Sequence, residues 1–330
     1  MADTPAYFND TEVYNGLTYF SYCFDLCGSI LFTLIAIVGI VANGLVIYMV
    51  AKHAQLRTPT NHFITHLAAA DLILLFVLVV PRDVNFFTSW KIFTYRASLI
   101  VIQYIQHICI QATALILAFM SISRYTMVVL PLKAKAEWTV RRVWMCCGAA
   151  WILSVLLYIP VACGILYMKN TGYQPTPIPL ETKIFAALKL VFIFLLPFSV
   201  IVFCYSKIIL TFRRGRYKLK RTANIDSGHS DDQTRKLARM VLVIILIFFF
   251  SWAPIQGYQT WLSCREHSLP TSPANWKTIV ILGFFFRLFA YLGSTINPFI
   301  YAYTNPSFKR FNMFRIRKIP DSVATLTSQL

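Results

Sequence analysis

Charge is scarce in this chain. Only 13% of its 330 residues are Asp, Glu, Lys or Arg, about half the share found in a soluble domain. Acids are the scarcer sign, 13 against 31 basic residues. The first 50 residues contain no Lys or Arg. The basic n-region of a cleavable leader is therefore missing, and the first apolar segment is expected to serve as the insertion signal. Also missing are a repeat of fixed period and a sizeable soluble domain. No nucleophile, base and orienting group recur at a useful spacing, which argues against an enzyme. Paired, similarly broken segments in two halves are absent as well, which argues against a transporter.

Long apolar runs fill the space left by charge. The chain is 57% hydrophobic with a mean hydropathy of +0.60, and its runs approach the roughly 20 residues that span a hydrocarbon core. Seven membrane-spanning helices are predicted, at 26–51, 62–87, 97–122, 143–167, 184–210, 238–262 and 277–303. One or two buried helices are ordinary in a large soluble protein; seven are not. The expected fold is an all-α membrane bundle. An outer N-terminal segment covers 1–22, the seven-helix bundle 23–304, and an amphipathic eighth helix with a tail 305–330.

The net charge of +18 is informative through its location. Lys52, Arg57, Lys133, Lys135, Arg141, Arg142, the run from Arg213 to Arg239, and Lys309, Arg310, Arg315, Arg317 and Lys318 all follow the first, third, fifth and seventh segments. The positive-inside rule then puts the tail in the cytoplasm and the N-terminus outside, in a multi-pass protein of the plasma membrane. Basic residues that flank spans do not form the stripe that binds nucleic acid. Asn9-Asp10-Thr11 is a glycosylation acceptor on the outer side. Most of the eight cysteines lie inside spans and read as small apolar residues. Cys23, Cys27 and Cys264 fall near the outer face, where either of the first two could pair with the third. After the last span, Phe308, Phe311, Met313 and Phe314 alternate with basic residues and predict a helix lying on the anionic inner leaflet.

Polar groups at bilayer depth are costly, so each one asks for a reason. Asp71 has Asn43 and Asn297 as natural partners, and Thr113 and Ser294 could add oxygens. Two readings fit: a monovalent-cation (sodium) site, or a structural hydrogen-bond cluster around a protonated carboxyl. In the outer half of the third span, Gln103, Gln106, His107 and Gln111 follow helical spacing. The sixth span carries Trp252, Gln256 and Gln259 with Phe248 a turn below, and the seventh carries Arg287, Tyr291 and Ser294. Arg82 and Lys189 complete the set, although long basic side chains near helix ends also snorkel to the interface. Converging, these residues would line a polar cavity open to the outside. The third span has no carboxylate to act as counter-ion for an amine ligand. A ligand with an acidic group, or a neutral amide-rich one, fits better.

The motifs then fall in one order along the chain: Gly39–Val46 with Asn43; Leu67-Ala68-Ala69-Ala70-Asp71-Leu72; Ser123-Arg124-Tyr125 followed by Pro131-Leu132; Trp151; Pro197 with Tyr205; Ser251-Trp252-Ala253-Pro254; and Asn297-Pro298-Phe299-Ile300-Tyr301. In these pieces the chain resembles the rhodopsin-like (class A) G-protein-coupled receptors over nearly its whole length. Gln106, Pro254-Ile255-Gln256 and Trp90-Lys91-Ile92-Phe93 are most similar to the galanin, allatostatin and kisspeptin peptide receptors. The resemblance implies a receptor for an extracellular ligand, a peptide first and an anionic lipid or small carboxylic acid second, coupled to a heterotrimeric G protein and to arrestin. It gives Arg124 and Tyr205 the G-protein-facing switch, Leu132 the insertion into the G protein, Trp252 above Phe248 the rotamer switch, Asp71 the sodium carboxylate, and Asn297, Pro298 and Tyr301 the hinge of the last helix. Departures accompany the match. Ser123 replaces the acid expected before Arg124, and Thr234 replaces the one expected in the sixth span, with Asp231 and Asp232 a turn earlier. Raised ligand-independent signalling is the expectation, unless one of those two aspartates restrains Arg124 instead. Leu99 stands where a cysteine usually bridges to the following outer loop, and 167–182 holds no cysteine either. Ala114 stands where a bulkier residue packs against Pro197 and Phe248.

Overall fold

The computed structural model describes residues 11–87, 96–130, 134, 137–171, 184, 187, 188, 190–219, 228–264 and 273–311. Its elements are α1 (Thr11–Lys52), a short 3-10 turn (Ala54–Leu56), α2 (Pro59–Phe87), α3 (Arg96–Val129), α4 (Val140–Thr171), a π turn (Val191–Leu195) leading into α5 (Leu196–Leu219), α6 (Gly228–Cys264), α7 (Pro273–Thr304) and α8 (Pro306–Phe311). Seven stretches are long and apolar enough to cross a membrane, one in each of α1 to α7. Backbone groups have no partner in lipid, so a chain of this composition must close its hydrogen bonds within each span, and helices do that.

Helix α3 is the central strut. It packs against α2, α4, α5 and, more lightly, α6, while α1 lies against α2 and α7, and α6 against α7. Close backbone contact between α5 and α6 is sparse among the described residues. The outer surface is an apolar belt that includes Leu34, Val41, Phe76, Ile152, Leu195, Phe203, Phe250 and Phe289. Glycine permits one tight crossing: a Cβ on Gly293 would lie 2.5 Å from Ser251 Cβ, so α6 and α7 meet at a distance that no larger residue allows.

Three departures from the predicted spans have physical causes. Helix α1 begins at Thr11, well before the predicted start of the first span, because its N-terminal part packs on α7: Phe24 meets Phe284 edge-on at 5.5 Å, and Lys277 sits 5.5 Å over Phe20, whose ring is tilted against that of Phe24. The fifth span is not one regular helix but opens with a π turn just before Pro197. Phe308 of α8 does not face the membrane; it is fully buried in the main core cluster. The side chains of Phe311, Met313 and Phe314 lie outside the described residues, as do Asn9 and the loop at 172–183.

Candidate functional site: one polar axis with two mouths

Asp71, Arg124, Trp252 and Asn297 come from four different helices, and all four are buried within one bundle at 7% exposure or less. Around Asp71 the amides divide the work. Asn297 Nδ2 donates to Asp71 Oδ2 at 2.8 Å. Asn43 was expected beside Asp71 but donates instead to Gly39 O at 2.9 Å and to Ser294 O at 3.2 Å. The reason lies in Pro298. Proline has no N–H, so the carbonyl four residues earlier, that of Ser294, loses its helical donor, and Asn43 supplies the missing proton. The same device recurs in α5. In the π turn Leu196 N–H donates to Val191 O. The next bond in that register would run from Pro197 to Phe192 O, which proline cannot make. Gln111 Nε2 donates to Phe192 O at 3.1 Å.

At the outer end, burial falls off along a single face of α3: Gln111 is buried, Gln106 and His107 are half-buried, and Gln103 is exposed. His107 packs its ring 5.1 Å from Tyr158, and its Nδ1 lies 2.7 Å from Gln103 O. On α7, Gly283, Ala290, Tyr291 and Ser294 share a face with Arg287, by the spacing of three and four, and all four are buried while Arg287 is exposed. Arg287 Nε donates to Gly283 O at 3.0 Å. Trp252 is buried in a cluster with Leu74, Cys109, Ile110, Tyr158, Phe194 and Ala290. Phe248, half-buried, packs against the same cluster. Gln256 is 2% exposed and its Oε1 has no partner; Gln111 Oε1 is likewise buried without one. Gln259 is half-buried on α6. Tyr291, predicted as a cavity residue, is directed to α1 and stacks on Phe32 at 4.7 Å. Lys189 and the side chain of Arg82 lie outside the described residues.

At the other end Arg124 is buried. Its guanidinium donates to Thr60 Oγ1 on α2, and a second nitrogen lies 3.5 Å from Met127 Sδ. Ser123 beside it is buried, and among the described side chains no carboxylate pairs with Arg124. Tyr125 is half-buried against α5, its ring 6.1 Å from Phe203. Tyr205 OH donates to Ala238 O at 3.0 Å, a single bond that ties α5 to α6 where their backbones otherwise stand apart. Leu132 lies outside the described residues. Tyr301 and Asn297 flank Pro298 and are buried, and Tyr301 OH has no partner. A small cavity lies beside Ala114, lined also by Pro197, Ile201, Ile245 and Phe248. Sequence reasoning missed one further network at this end: Asn305 Nδ2 donates to Asn61 Oδ1 at 2.9 Å, Asn61 Nδ2 to Leu56 O at 2.9 Å, and Ser307 N–H to Asn305 Oδ1 at 3.0 Å. This network locks the turn between α7 and α8 onto α2. Two asparagines 244 residues apart give no periodic signal that could reveal it.

Seven membrane-length helices around buried polar side chains make a seven-helix membrane bundle. The family model "7 transmembrane receptor (rhodopsin family)" matches residues 42–301, and the chain belongs to that family of G-protein-coupled receptors. It is 30% identical over 296 residues to G-protein coupled receptor 54 of Oreochromis niloticus, covering 84% of this chain and 75% of that one. It is 29% identical over 293 residues to galanin receptor type 1 of Mus musculus, covering 85% and 79%, and 29% identical over 294 residues to that of Homo sapiens, with the same coverage. Receptors of this kind are not enzymes; they sit in the plasma membrane, take an extracellular ligand and couple to G proteins.

Proposed function

We propose that the ligand is a peptide that enters the mouth lined by Gln103, Gln106, Gln256, Gln259 and Arg287 and bears on Trp252. The observation that carries this reading is the pair of buried amide oxygens, Gln111 Oε1 and Gln256 Oε1, left without a partner near the floor of that mouth. Such groups cost free energy until a donor meets them, and a peptide's N–H groups are suitable donors. The similarity to galanin receptors supports a peptide as well. A second reading is favoured by Arg287, whose cationic side chain is exposed: an anionic lipid or small carboxylic acid paired with it. Replacing Arg287 with Gln separates the two. A small acid loses most of its affinity, whereas a large peptide, held by many contacts, loses a charge-assisted bond of about 1.5–3 kcal/mol.

Two further roles belong to this reading. The N-terminus faces outward, and the Arg124 end meets the G protein and arrestin. Among the described side chains Arg124 is held by a hydroxyl and a thioether and by no carboxylate, which supports raised ligand-independent signalling; the side chains of Asp231 and Asp232 lie outside the described residues. Second-messenger output above that of empty vector checks it; output equal to empty vector refutes it. Asp71, Ser294, Thr113 and Asn297 are also candidates to hold a sodium ion. The buried Oδ1 atoms of Asn297 and Asn43 lack protein partners, so the donor set fits a hard cation. The ion would supply positive charge at a buried carboxylate. Purified receptor should unfold at a higher temperature in sodium chloride than in an equal concentration of N-methylglucamine chloride, by the equivalent of about 2.7 kcal/mol when sodium is near 100 times its Kd. Asp71→Asn should remove the difference.

A further inference from the structure

We propose that His62 and His66, one turn apart on α2, chelate a divalent cation of the zinc and nickel kind. The segment reads His62-Phe63-Ile64-Thr65-His66. Residues four apart on a helix stand on one face, with Cβ atoms about 5–6 Å apart. By that spacing two imidazoles of a single helix grip one metal ion. Phe63 and Ile64 between them are fully buried. They turn to the core and leave the histidines on the flank of α2 that meets α4. There both rings lie against one indole. The His66 ring is edge to face with that of Trp144 at 4.6 Å, and the His62 ring is tilted against it at 5.7 Å. The shared neighbour holds the two imidazoles on the same side of the helix.

The ring nitrogens have work left to do. His62 Nδ1 and His66 Nε2 are buried and make no hydrogen bond. A neutral imidazole carries one lone pair and one N–H, and a buried nitrogen left unpaired is a cost that a ligand can remove. Neutral nitrogen donors select a borderline-soft cation, whereas calcium and magnesium ask for oxygen. Among the described residues no third His, Cys, Asp or Glu joins the pair. The protein therefore supplies two positions around the ion, and water fills the others. Phe63 follows His62 where a zinc protease helix carries its glutamate base, so the pair can bind an ion but has no hydrolytic chemistry of its own. Arg57, the basic residue before α2, is turned away to donate to Ala51 O at 2.6 Å. Both histidines are half-buried and Trp144 is 51% exposed, so the flank is open to an ion. Each ring can turn about its Cβ–Cγ bond to bring a nitrogen to it. The site rests on one helix and one facing ring, and does not depend on which ligand the receptor takes.

The test uses full-length receptor purified in detergent without a polyhistidine tag. Zinc affinity is read by competition with a colorimetric chelator, with magnesium as the negative probe. His62→Ala and His66→Ala should each lower the affinity for the tightest zinc by about 100-fold, because the second arm of a chelate adds at least that factor. The double variant should bind hardly more weakly than either single one. Small losses that add in the double variant would mean two independent imidazoles and overturn the chelate. Unchanged affinity in both single variants would place the ion elsewhere, again against the proposal, and equal binding of magnesium would overturn a nitrogen site. Nickel gives a readout that keeps both histidines in place, since the bound ion quenches a nearby indole. Trp144→Phe should keep the zinc affinity of the wild type and remove the nickel-dependent loss of tryptophan fluorescence. Quenching that survives this substitution in full would put the ion beside another tryptophan and refute the site.

Discussion

Two amides answer two of the prolines in these spans, Pro298 and Pro197. Asn43 gives Ser294 O the proton that Pro298 withholds, and Gln111 does the same for Phe192 O before Pro197. Both bonds cross from one helix to another, so each joins a weak point in one helix to a neighbour. Gln111→Leu should destabilise the receptor by about 1–3 kcal/mol, because it leaves a carbonyl buried and unpaired; thermal unfolding of purified protein checks this, and an unchanged midpoint would show that the carbonyl finds another donor. Gly293 is a residue of the opposite kind, needed for what it lacks. A methyl at that position would meet Ser251 Cβ at 2.5 Å on the facing helix. Gly293→Ala should cost about 1–3 kcal/mol through overpacking. Gly39 is more forgiving, since its nearest neighbours are Leu75 Cδ1 and Thr295 Oγ1, the ends of side chains that can turn aside.

At the scale of the element, the seven helices were legible in the sequence because lipid imposes one solution on a long apolar run, and their inner ends follow the basic residues closely. What the pattern did not carry is instructive. The π turn at Val191–Leu195 has no periodic signature; its trace is Pro197 together with a glutamine on another helix. The length of α1 depends on Phe24 meeting Phe284 and Phe20 meeting Lys277, contacts between the first helix and the seventh. The spacing of Phe308 with Phe311 and Phe314 predicts a membrane-facing stripe, but the short helix α8 places Phe308 in the core of the bundle. The candidate site was legible in part for the same reason. Spacing places Gln103, Gln106 and Arg287 on inward faces, yet it cannot show that Tyr291 turns to Phe32. At the Arg124 end Tyr205 OH ties α5 to α6 by donating to Ala238 O. Tyr205→Phe should loosen it by about 0.5–1.5 kcal/mol, and faster hydrogen exchange of the inner end of α6 would report that.

For the whole molecule, Gln256 and Trp252, Asp71 and Asn297, and Arg124 with Thr60 as its partner are polar or switch-like groups held inside one bundle, with Asn297 joining α7 to α2 at Asp71. A ligand can move such a system only by its differential affinity for the two arrangements, and the coupling is reciprocal, so a bound G protein tightens the ligand by the same factor. Helices α5 and α6 meet through side chains such as Phe198 and Phe249, whose rings stack at 4.7 Å, more than through close backbone contact. The most direct test is GTP exchange on a panel of purified heterotrimeric G proteins, with the receptor in nanodiscs and a peptide library supplied in pools. The account predicts that at least one pool raises exchange on at least one G protein, and that Arg124→Ala abolishes the rise while peptide binding persists. Exchange that stays at the level of empty nanodiscs for every pool and G protein, or a rise that Arg124→Ala leaves intact, would contradict it.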